Sequence, residues 1–521
     1  MRAAGGLILD DLDRHARKRP GERAVVEVDA AGAVRELGWG ELADEADRIE
    51  GVLRALGVGP GEPVAFQLPN RLEFVTIALA ALRIGAICEP LMPIFREREL
   101  SFMLRQSAAR VLFVAREFRG RDYLGTALEL RETLPALEHV LVVGEDGAFA
   151  PSRVSPSRPR PRPGPEQIAQ LLFTSGTSGE PKGVLHRHGV LTRAADAHIR
   201  HFGLGADDVI YVPSPLAHQT GFLYGMWIAL RLGVPQLVQE AWDAEVGLAA
   251  MERFGVTFVQ AATPFLADLT REAREGGTPP RALRTFVATG AAIPRDLARE
   301  AREVLGAEVG GAWGTTESCL GTAFAAGDLP QRAWSTDGRP LEGVDIRVVD
   351  DRGRALPPGA EGHFEVLTDC LFEGYLNRPD LTAEALTADG WYRTGDLARI
   401  DEQGYLRITG RVKDVINRGG EKVPVAEIEQ LLFGHPAIRE VAIVAMPDER
   451  LGERACAFAV LEPGAELDLP AMLAYLDSHR VSKTYWPERL ELTGALPKTP
   501  SGKIQKFVLR EQAAERKAMT T

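Results

Sequence analysis

Apolar positions along the chain follow two alternating periods. Ala43 to Leu56 repeats at helical spacing, Gly57-Val-Gly-Pro-Gly-Glu is a turn, and Pro63-Val-Ala-Phe-Gln-Leu reads as a strand. Leu72 to Leu82 is helical again and leads into Gly85-Ala-Ile-Cys-Glu-Pro. Val111-Leu-Phe-Val-Ala and His139-Val-Leu-Val-Val-Gly are short apolar runs, as expected of strands buried on both faces of a parallel sheet. Beyond residue 205 the alternation resumes with Val209-Ile-Tyr-Val, Val256-Thr-Phe-Val-Gln and Thr285-Phe-Val-Ala-Thr, each separated by a helix-length segment. The pattern predicts an α/β chain with doubly wound sheets.

Two departures from this rhythm divide the chain. Pro151 to Pro165 is rich in Pro, Arg and Ser and reads as an exposed, extended connection. From Asp345 onward, Asp345-Ile-Arg-Val-Val, His363-Phe-Glu-Val-Leu and Tyr405-Leu-Arg-Ile are short strands between turns, which predicts a small subdomain closing the large domain, an antiparallel sheet or a β-barrel-like form. After Gly410 a compact mixture of strands and helices follows, of a size usual for one domain. The expected organisation is a large domain over 1–410 and a small α+β domain over 411–521.

Composition changes the picture mainly by exclusion. The chain has 521 residues, 45% hydrophobic and 26% charged, which is ordinary globular composition and excludes a disordered or fibrous protein. A net charge of -12 argues against a surface that blankets nucleic acid, and leaves room for a local basic cleft facing a phosphorylated small molecule. Cys88, Cys319, Cys370 and Cys456 lie far apart, without metal-site or disulfide-framework spacing. The N-terminus lacks the apolar core of an export signal, and Phe74 to Leu82 is too short to span a bilayer, so a cytoplasmic protein is expected. Only nine of the 61 basic residues are lysines, and Lys182, Lys413, Lys498, Lys503 and Lys506 fall in glycine-containing stretches. A compact ammonium is not interchangeable with guanidinium at a phosphate or carboxylate oxygen, which marks these lysines for inspection.

The segment Leu171-Leu-Phe-Thr-Ser-Gly-Thr-Ser-Gly-Glu-Pro-Lys-Gly is an apolar strand running into a loop of hydroxyls and glycines. Glycines let backbone N–H groups approach phosphate oxygens, hydroxyls add donors, and Lys182 supplies charge: a phosphate cradle. The nucleotide-kinase loop is excluded because Glu180 and Pro181 separate Gly179 from Lys182, and a nucleophile elbow around Ser178 is excluded because position 180 is Glu180. In Trp313-Gly-Thr-Thr-Glu an aromatic ring suits stacking on a purine, Thr316 suits donation to a phosphate, and Glu317 suits Mg²⁺, a hard cation preferring oxygen.

The loop resembles the Thr-Ser-Gly-Thr-Thr-Gly-x-Pro-Lys-Gly signature of the adenylate-forming superfamily of acyl-CoA synthetases, adenylation domains and luciferases. Gly311-Ala-Trp-Gly-Thr-Thr-Glu, Gly390-Trp-Tyr-Arg-Thr-Gly-Asp, Gly410-Arg-Val-Lys-Asp-Val-Ile-Asn-Arg-Gly-Gly-Glu and Pro497-Lys-Thr-Pro-Ser-Gly-Lys extend the resemblance, in order and spacing, over nearly the whole chain. Two positions depart from it: Ser178 stands where Thr is commoner, and Trp313 where Tyr is commoner. The resemblance implies ATP bound by Thr174, Ser175, Gly176, Thr177, Ser178, Gly179 and Lys182, with Gly290, Trp313 and Thr316 around the nucleotide. It assigns Glu317 to Mg²⁺, Asp396 to the ribose hydroxyls, Arg411 to ribose or phosphate, and Lys503 to the bridge between substrate carboxylate and α-phosphate. Lys503, Thr316, Glu317 and His218 are thus the expected catalytic set.

Further implications concern the acid and the second half-reaction. His218, Gln219, Ala288, Thr289, Gly290, Ala312 and Gly314, with Gln260 to Pro264, would border the acyl pocket. Amino-acid-activating relatives carry a Phe-Asp-x-Ser pattern where this chain has Ala217-His-Gln-Thr, and an ammonium buried without that carboxylate is costly, which favours an uncharged acyl tail. Tyr485 to Leu490 resembles cyclohexanecarboxylate-type and medium-chain acyl-CoA ligases. Lys413 matches the hinge, and Gly419, Gly420 and Glu421 the loop brought toward coenzyme A. The implied reaction is acyl-AMP formation followed by thioester formation with coenzyme A, or alternatively with a carrier-protein pantetheine. An idle nucleotide-binding scaffold is disfavoured by the presence of Lys182, Glu317, Asp396, Arg411 and Lys503 together.

Overall fold

A computed structural model describes residues 6–144, 162–174, 181–290, 293–418, 421–448, 450–499 and 503–518. The short apolar runs become strands of two large sheets. One has seven strands in the order Gly374–Tyr375, Lys182–Arg187, Ile168–Thr174, Ile87–Leu91, Pro63–Gln67, Val111–Ala115, His139–Val143. The strands drawn from residues 63–143 pair in parallel, whereas Ile168–Thr174, Lys182–Arg187 and Gly374–Tyr375 form an antiparallel margin.

The second sheet has nine strands, and its parallel centre joins Gln236–Gln239, Ile210–Tyr211, Phe258–Ala262, Thr285–Thr289 and the start of Glu308–Thr315. Arg23–Val28 pairs in parallel with Gln236–Gln239 and antiparallel with Val34–Gly38, so this N-terminal hairpin joins the second sheet although the strands from Pro63–Gln67 to His139–Val143 build the first. Helices alternate with the strands, some capped by Asp side chains, as where Asp243 accepts from the N–H of Val246 ahead of Ala244–Phe254. Leu72–Arg83 is buried nearly all round because it lies in a core to which both sheets contribute.

The apolar helix expected over Phe222 to Leu232 forms differently: Thr220–Trp227 is a π-helix, continued by the α-helix Ile228–Leu232. Its glycines explain the close packing. A Cβ on Gly221 would lie 2.3 Å from the Pro215 carbonyl oxygen, and one on Gly225 would lie 2.9 Å from the Gln236 amide nitrogen. Such wide turns occur mostly at functional sites.

The strands after Asp345 form a four-stranded antiparallel sheet, Val344–Val349, Gly362–Thr368, Tyr392–Ile400 and Leu406–Arg411 in spatial order. Of the two expected forms, sheet or barrel, the sheet is the one observed: among the described residues the outer strands Val344–Val349 and Leu406–Arg411 do not pair, and the sheet stays open. One face instead packs on Trp313 through Val348, Phe364, Val366, Ala398 and Leu406. Residues beyond 415 build a separate sheet, with Ile438–Asp448 and Gly452–Leu461 as its long antiparallel pair, and Ile428, Leu432, Met472 and Leu476 fill one of its cores.

Candidate active site

A cleft of about 1190 Å³ lies between the large sheets' loops and the C-terminal segment, with Gly290, Trp313, Asp396, Arg411 and Lys503 in its walls. Strand ends and turns deliver these groups. Tyr392–Ile400 and Leu406–Arg411 pair with Asp396 opposite Arg411, which sets the Arg411 Nε 3.1 Å from Asp396 Oδ1. The Trp313 indole N–H donates to Asp396 Oδ2 at 2.8 Å. Both carboxylate oxygens are therefore already engaged, and Asp396 has lone pairs left for further donors such as ribose hydroxyls. The Trp313 ring, expected as an open stacking platform, is buried and packs edge-on against Phe364 with centroids 4.7 Å apart. Its other partner is the carboxylate, so stacking is confined to the part of the ring facing the cleft.

The phosphate cradle is bracketed by an antiparallel pair in which Lys182 lies opposite Thr174. The Thr174 hydroxyl donates to the Lys182 carbonyl at 3.4 Å, so the strands close directly on the loop between them. Ser175, Gly176, Thr177, Ser178 and Gly179 lie outside the described residues.

Thr316 and Glu317 occupy a turn at the end of Glu308–Thr315. Two hydrogen bonds from other elements hold its backbone: buried His186 donates from Nε2 to the Thr316 carbonyl at 2.6 Å, and the Phe372 N–H donates to the Glu317 carbonyl at 2.7 Å. Burial lowers the His186 pKa to about 4, so the ring is neutral, and the carbonyl partner assigns its proton to Nε2. The Tyr375 hydroxyl donates to Glu317 Oε1 at 2.8 Å. One carboxylate beside a threonine suits Mg²⁺, which takes one or two protein carboxylates and completes its octahedron with phosphate oxygens and water. Among the described residues no cage of three or more His, Cys, Asp or Glu side chains competes with that arrangement.

Lys503 is tied to Thr499 by the Thr499 N–H, which donates to the Lys503 carbonyl at 2.6 Å, and by the Lys503 N–H, which donates to the Thr499 hydroxyl at 3.0 Å. First the Arg411 guanidinium, then desolvation in the cleft, lower its pKa to about 8, against the opposing pull of Asp396, Glu317 and Asp414. Lys498 and Lys506 pair instead with Glu440 and Glu429, at 2.6 and 2.7 Å, and serve the C-terminal segment's own structure.

On the acyl side, His218 follows a strand end and accepts at Nδ1 from the Thr220 N–H at 3.2 Å. Burial, with a smaller effect of Lys503, lowers its pKa to about 4, so the neutral ring carries its proton on Nε2. Gln219 is buried with its amide nitrogen 3.9 Å from Cys319 Sγ. Gly290, Ala312 and Gly314 line the cleft, as do Thr263 and Pro264, whereas Thr289 is half-buried at a strand end and does not. Ala288 is corrected as a pocket wall. Side chains alternate along Thr285–Thr289, and Ala288 points with Phe286 into the core beneath the outer helices, packed in one cluster with Val259, Ala261 and Ala298.

Lys413 lies in the 3₁₀ turn Val412–Asp414, directly after the strand that carries Arg411. Glu421 begins the short strand Glu421–Val423, and Gly419 and Gly420 lie outside the described residues. Tyr375, Tyr392 and His186 are the site-adjacent groups that sequence reasoning missed. His186 carries a local signal, a histidine four residues after Lys182 on the same strand; Tyr375 carries none beyond a Phe-Glu-Gly-Tyr run.

Comparison with known proteins gives concordant matches. Residues 12–376 match the family "AMP-binding enzyme", and residues 427–503 match "AMP-binding enzyme C-terminal domain". The chain is 37% identical to a medium-chain fatty-acid–CoA ligase of Escherichia coli (strain K12), over 98% of this chain and 91% of that protein. It is 36% identical to a salicyl-AMP ligase / salicyl-S-ArCP synthetase of Mycobacterium tuberculosis, over 98% and 92% respectively. Among solved structures, the anthranilate CoA ligase AuaEII in complex with anthranoyl-AMP superposes with a TM-score of 0.88 at 26% identity, covering 99% of this chain and 98% of that one. ATP-bound MatB from Rhodopseudomonas palustris gives a TM-score of 0.86 at 26% identity, covering 97% and 98%.

Proposed function

The chain belongs to the AMP-binding enzyme family, and from that premise we propose that it is an acyl-CoA ligase acting on an apolar monocarboxylic acid. It is an AMP-forming acid–thiol ligase that uses ATP, Mg²⁺ and coenzyme A. In the first step a carboxylate oxygen attacks the α-phosphorus and pyrophosphate leaves. In the second a thiolate attacks the acyl carbonyl and AMP leaves, so the protein needs no nucleophile of its own.

The observation that carries the reading is the cleft itself, whose wall brings Lys503 together with Trp313, Asp396 and Arg411. The Lys503 ammonium feels Arg411, Asp396 and Glu317 together, so one cation stands among the groups assigned to ribose, phosphate and metal. Charge developing at phosphorus is stabilised there by fixed groups, in a step governed by positioning and electrostatics. Lys182 and the loop before it hold phosphates, and Asp396 with Arg411 holds the ribose. Glu317 would hold Mg²⁺, which would supply positive charge to offset that of the phosphates. The neutral His218 ring offers an N–H toward the carboxylate of the acid.

The two steps are unlike, and a single site serves both if residues 411–521 rotate about Lys413, withdrawing Lys503 and bringing the 419–421 loop toward coenzyme A. The domain division at residue 410 belongs to this proposal, as does a cytoplasmic location; no helix among the described residues is long and apolar enough to cross a membrane. Loading of a carrier-protein pantetheine is the second reading, favoured by the salicyl-S-ArCP synthetase relative.

The test is incubation with ATP, Mg²⁺ and a panel of linear, alicyclic and aromatic acids and amino acids, measuring AMP release with and without coenzyme A. CoA-dependent turnover on apolar acids supports the ligase, and pyrophosphate exchange indifferent to CoA supports the carrier protein. Silence on every acid overturns both. Lys503→Ala abolishes adenylation while thioester formation from supplied acyl-AMP largely survives; equal loss of both refutes the division of labour.

A further inference from the structure

Tyr375 carries none of the roles assigned above, yet it touches two residues that do. Its strand, Gly374–Tyr375, lies antiparallel to Lys182–Arg187, with Tyr375 opposite Val184. The flanking residues lock that register: the Leu376 N–H donates to the Gly183 carbonyl at 2.7 Å, and the Glu373 N–H to the Leu185 carbonyl at 2.8 Å. From this position the side chain, 7% exposed, reaches in two directions. The Lys182 ammonium stands 4.8 Å from the ring centroid, and the hydroxyl donates to Glu317 Oε1 at 2.8 Å. Phe372 packs against the ring at a centroid distance of 4.8 Å.

We propose that Tyr375 is a positioning residue for ATP and its metal ion, holding the Lys182 ammonium on its ring and the Glu317 carboxylate on its hydroxyl so that the two charges stay apart and both remain available to ligand. This rests on the assignment of Lys182 to phosphate and Glu317 to Mg²⁺ made above. The physical need is specific. An ammonium and a carboxylate on neighbouring elements of a partly desolvated cleft attract strongly, and direct pairing would occupy both groups before ATP arrives. A phenol between them satisfies each with a weaker, directional contact: the negative face of the ring for the cation, the O–H for the anion. A tyrosine that only filled space would need neither contact, since phenylalanine fills the same volume. The hydroxyl also fixes the rotation of the carboxylate, because it engages one oxygen from a ring held between Lys182 and Phe372.

Two substitutions separate the two contacts. Tyr375→Phe keeps the platform for Lys182 and removes the donor to Glu317; Tyr375→Leu removes both. ATP binding is measured by titration calorimetry without acid substrate, in EDTA and across a Mg²⁺ series, with thermal midpoints recorded alongside. For Tyr375→Phe the Mg²⁺ concentration giving half-maximal ATP affinity rises by about tenfold, the size expected for one charge-assisted hydrogen bond, while Mg²⁺-free ATP affinity stays as in the wild type. For Tyr375→Leu the Mg²⁺-free affinity also falls, by about threefold to tenfold, because the ammonium loses its platform.

A purely packing residue lowers the thermal midpoint in Tyr375→Leu, leaves that of Tyr375→Phe near the wild type, and leaves the Mg²⁺ response alone in both. A wild-type Mg²⁺ response in Tyr375→Phe therefore overturns the proposal while the ligase reading stands. Failure of the wild-type protein to bind ATP overturns both. If circular dichroism shows that Tyr375→Leu does not fold, the Tyr375→Phe arm decides by itself.

Discussion

Removing the guanidinium of Arg411 tests whether Lys503 works as a cation. Lys503 titrates at about 8 instead of 10.5, and the causes that lower it are, in order, Arg411 and desolvation, opposed by Asp396, Glu317 and Asp414. Arg411 is the larger of the two lowering causes. The sign follows from the chemistry. Stabilising a developing negative charge needs the ammonium, so kcat/KM for ATP, which reports the free enzyme, declines as pH rises through about 8. At pH 9 roughly a tenth of the plateau remains in the wild type. In Arg411→Met the plateau is lower, because Asp396 loses its partner at 3.1 Å, but the alkaline limb moves to higher pH, since the largest cause that lowers Lys503 is gone. The assay is acid-dependent ATP–pyrophosphate exchange from pH 6.5 to 10. Lys503→Arg provides the control, since a guanidinium stays charged throughout this range and any residual activity has no limb. A limb that stays near 8 in Arg411→Met, or persists in Lys503→Arg, refutes the assignment of the titrating group to Lys503.

Two further outcomes follow from buried histidines. His186→Leu frees the Thr316 carbonyl, and the expected result is an adenylation kcat lower by about tenfold or more, with Gln, which retains a donor, recovering part of it; equal kinetics in Leu and Gln variants would show that His186 only fills space. His198 is fully buried, stacks on Tyr224 with centroids 4.9 Å apart, and has its pKa lowered by burial to about 3. A base depressed in the folded state is protonated first in the unfolded chain, so its contribution to stability is complete above pH 6.5 and is lost as pH falls from there toward about 3. Going from pH 7 to 5 costs about 2 kcal/mol for this one group, and His198→Phe reduces the acid sensitivity of the denaturation free energy by that amount. An unchanged slope between pH 7 and 5 rules out His198 as a contributor.

The sequence makes the fold class legible because a strand buried on both faces must be apolar throughout, whatever its neighbours. Val111–Ala115, Thr285–Thr289 and their kin needed no further information. What it does not carry is pairing at a distance. Arg23–Val28 reads as any half-hydrophobic segment, and only the packing of two sheets about Leu72–Arg83 selects Gln236–Gln239 as its neighbour. The π-helix was hidden for a related reason: Thr220 to Trp227 is as apolar as an α-helix, and its wide turn follows from close backbone approach at Gly221 and Gly225. Ala288 shows the same limit at one residue, because its face depends on strand register rather than on composition.

The site divides along that line too. Residues meeting ligand sit in glycine-bearing loops whose chemistry is local, so Lys182, Glu317, Asp396, Arg411 and Lys503 stand out in the chain. Residues meeting those residues are ordinary members of strands. His186 reaches Thr316 across 130 positions, Trp313 reaches Asp396 across 83, and Tyr375 reaches Glu317 across 58. All three contacts end on the same short stretch, 313–317, which joins the cradle strand, the ribose carboxylate and the 372–376 segment. A displacement of that turn therefore moves the threonine, the carboxylate and the indole together. Substitutions in 372–376 should consequently alter ATP and Mg²⁺ binding before they alter recognition of the acid, whose expected walls at His218 and Gln219 hang from a different element.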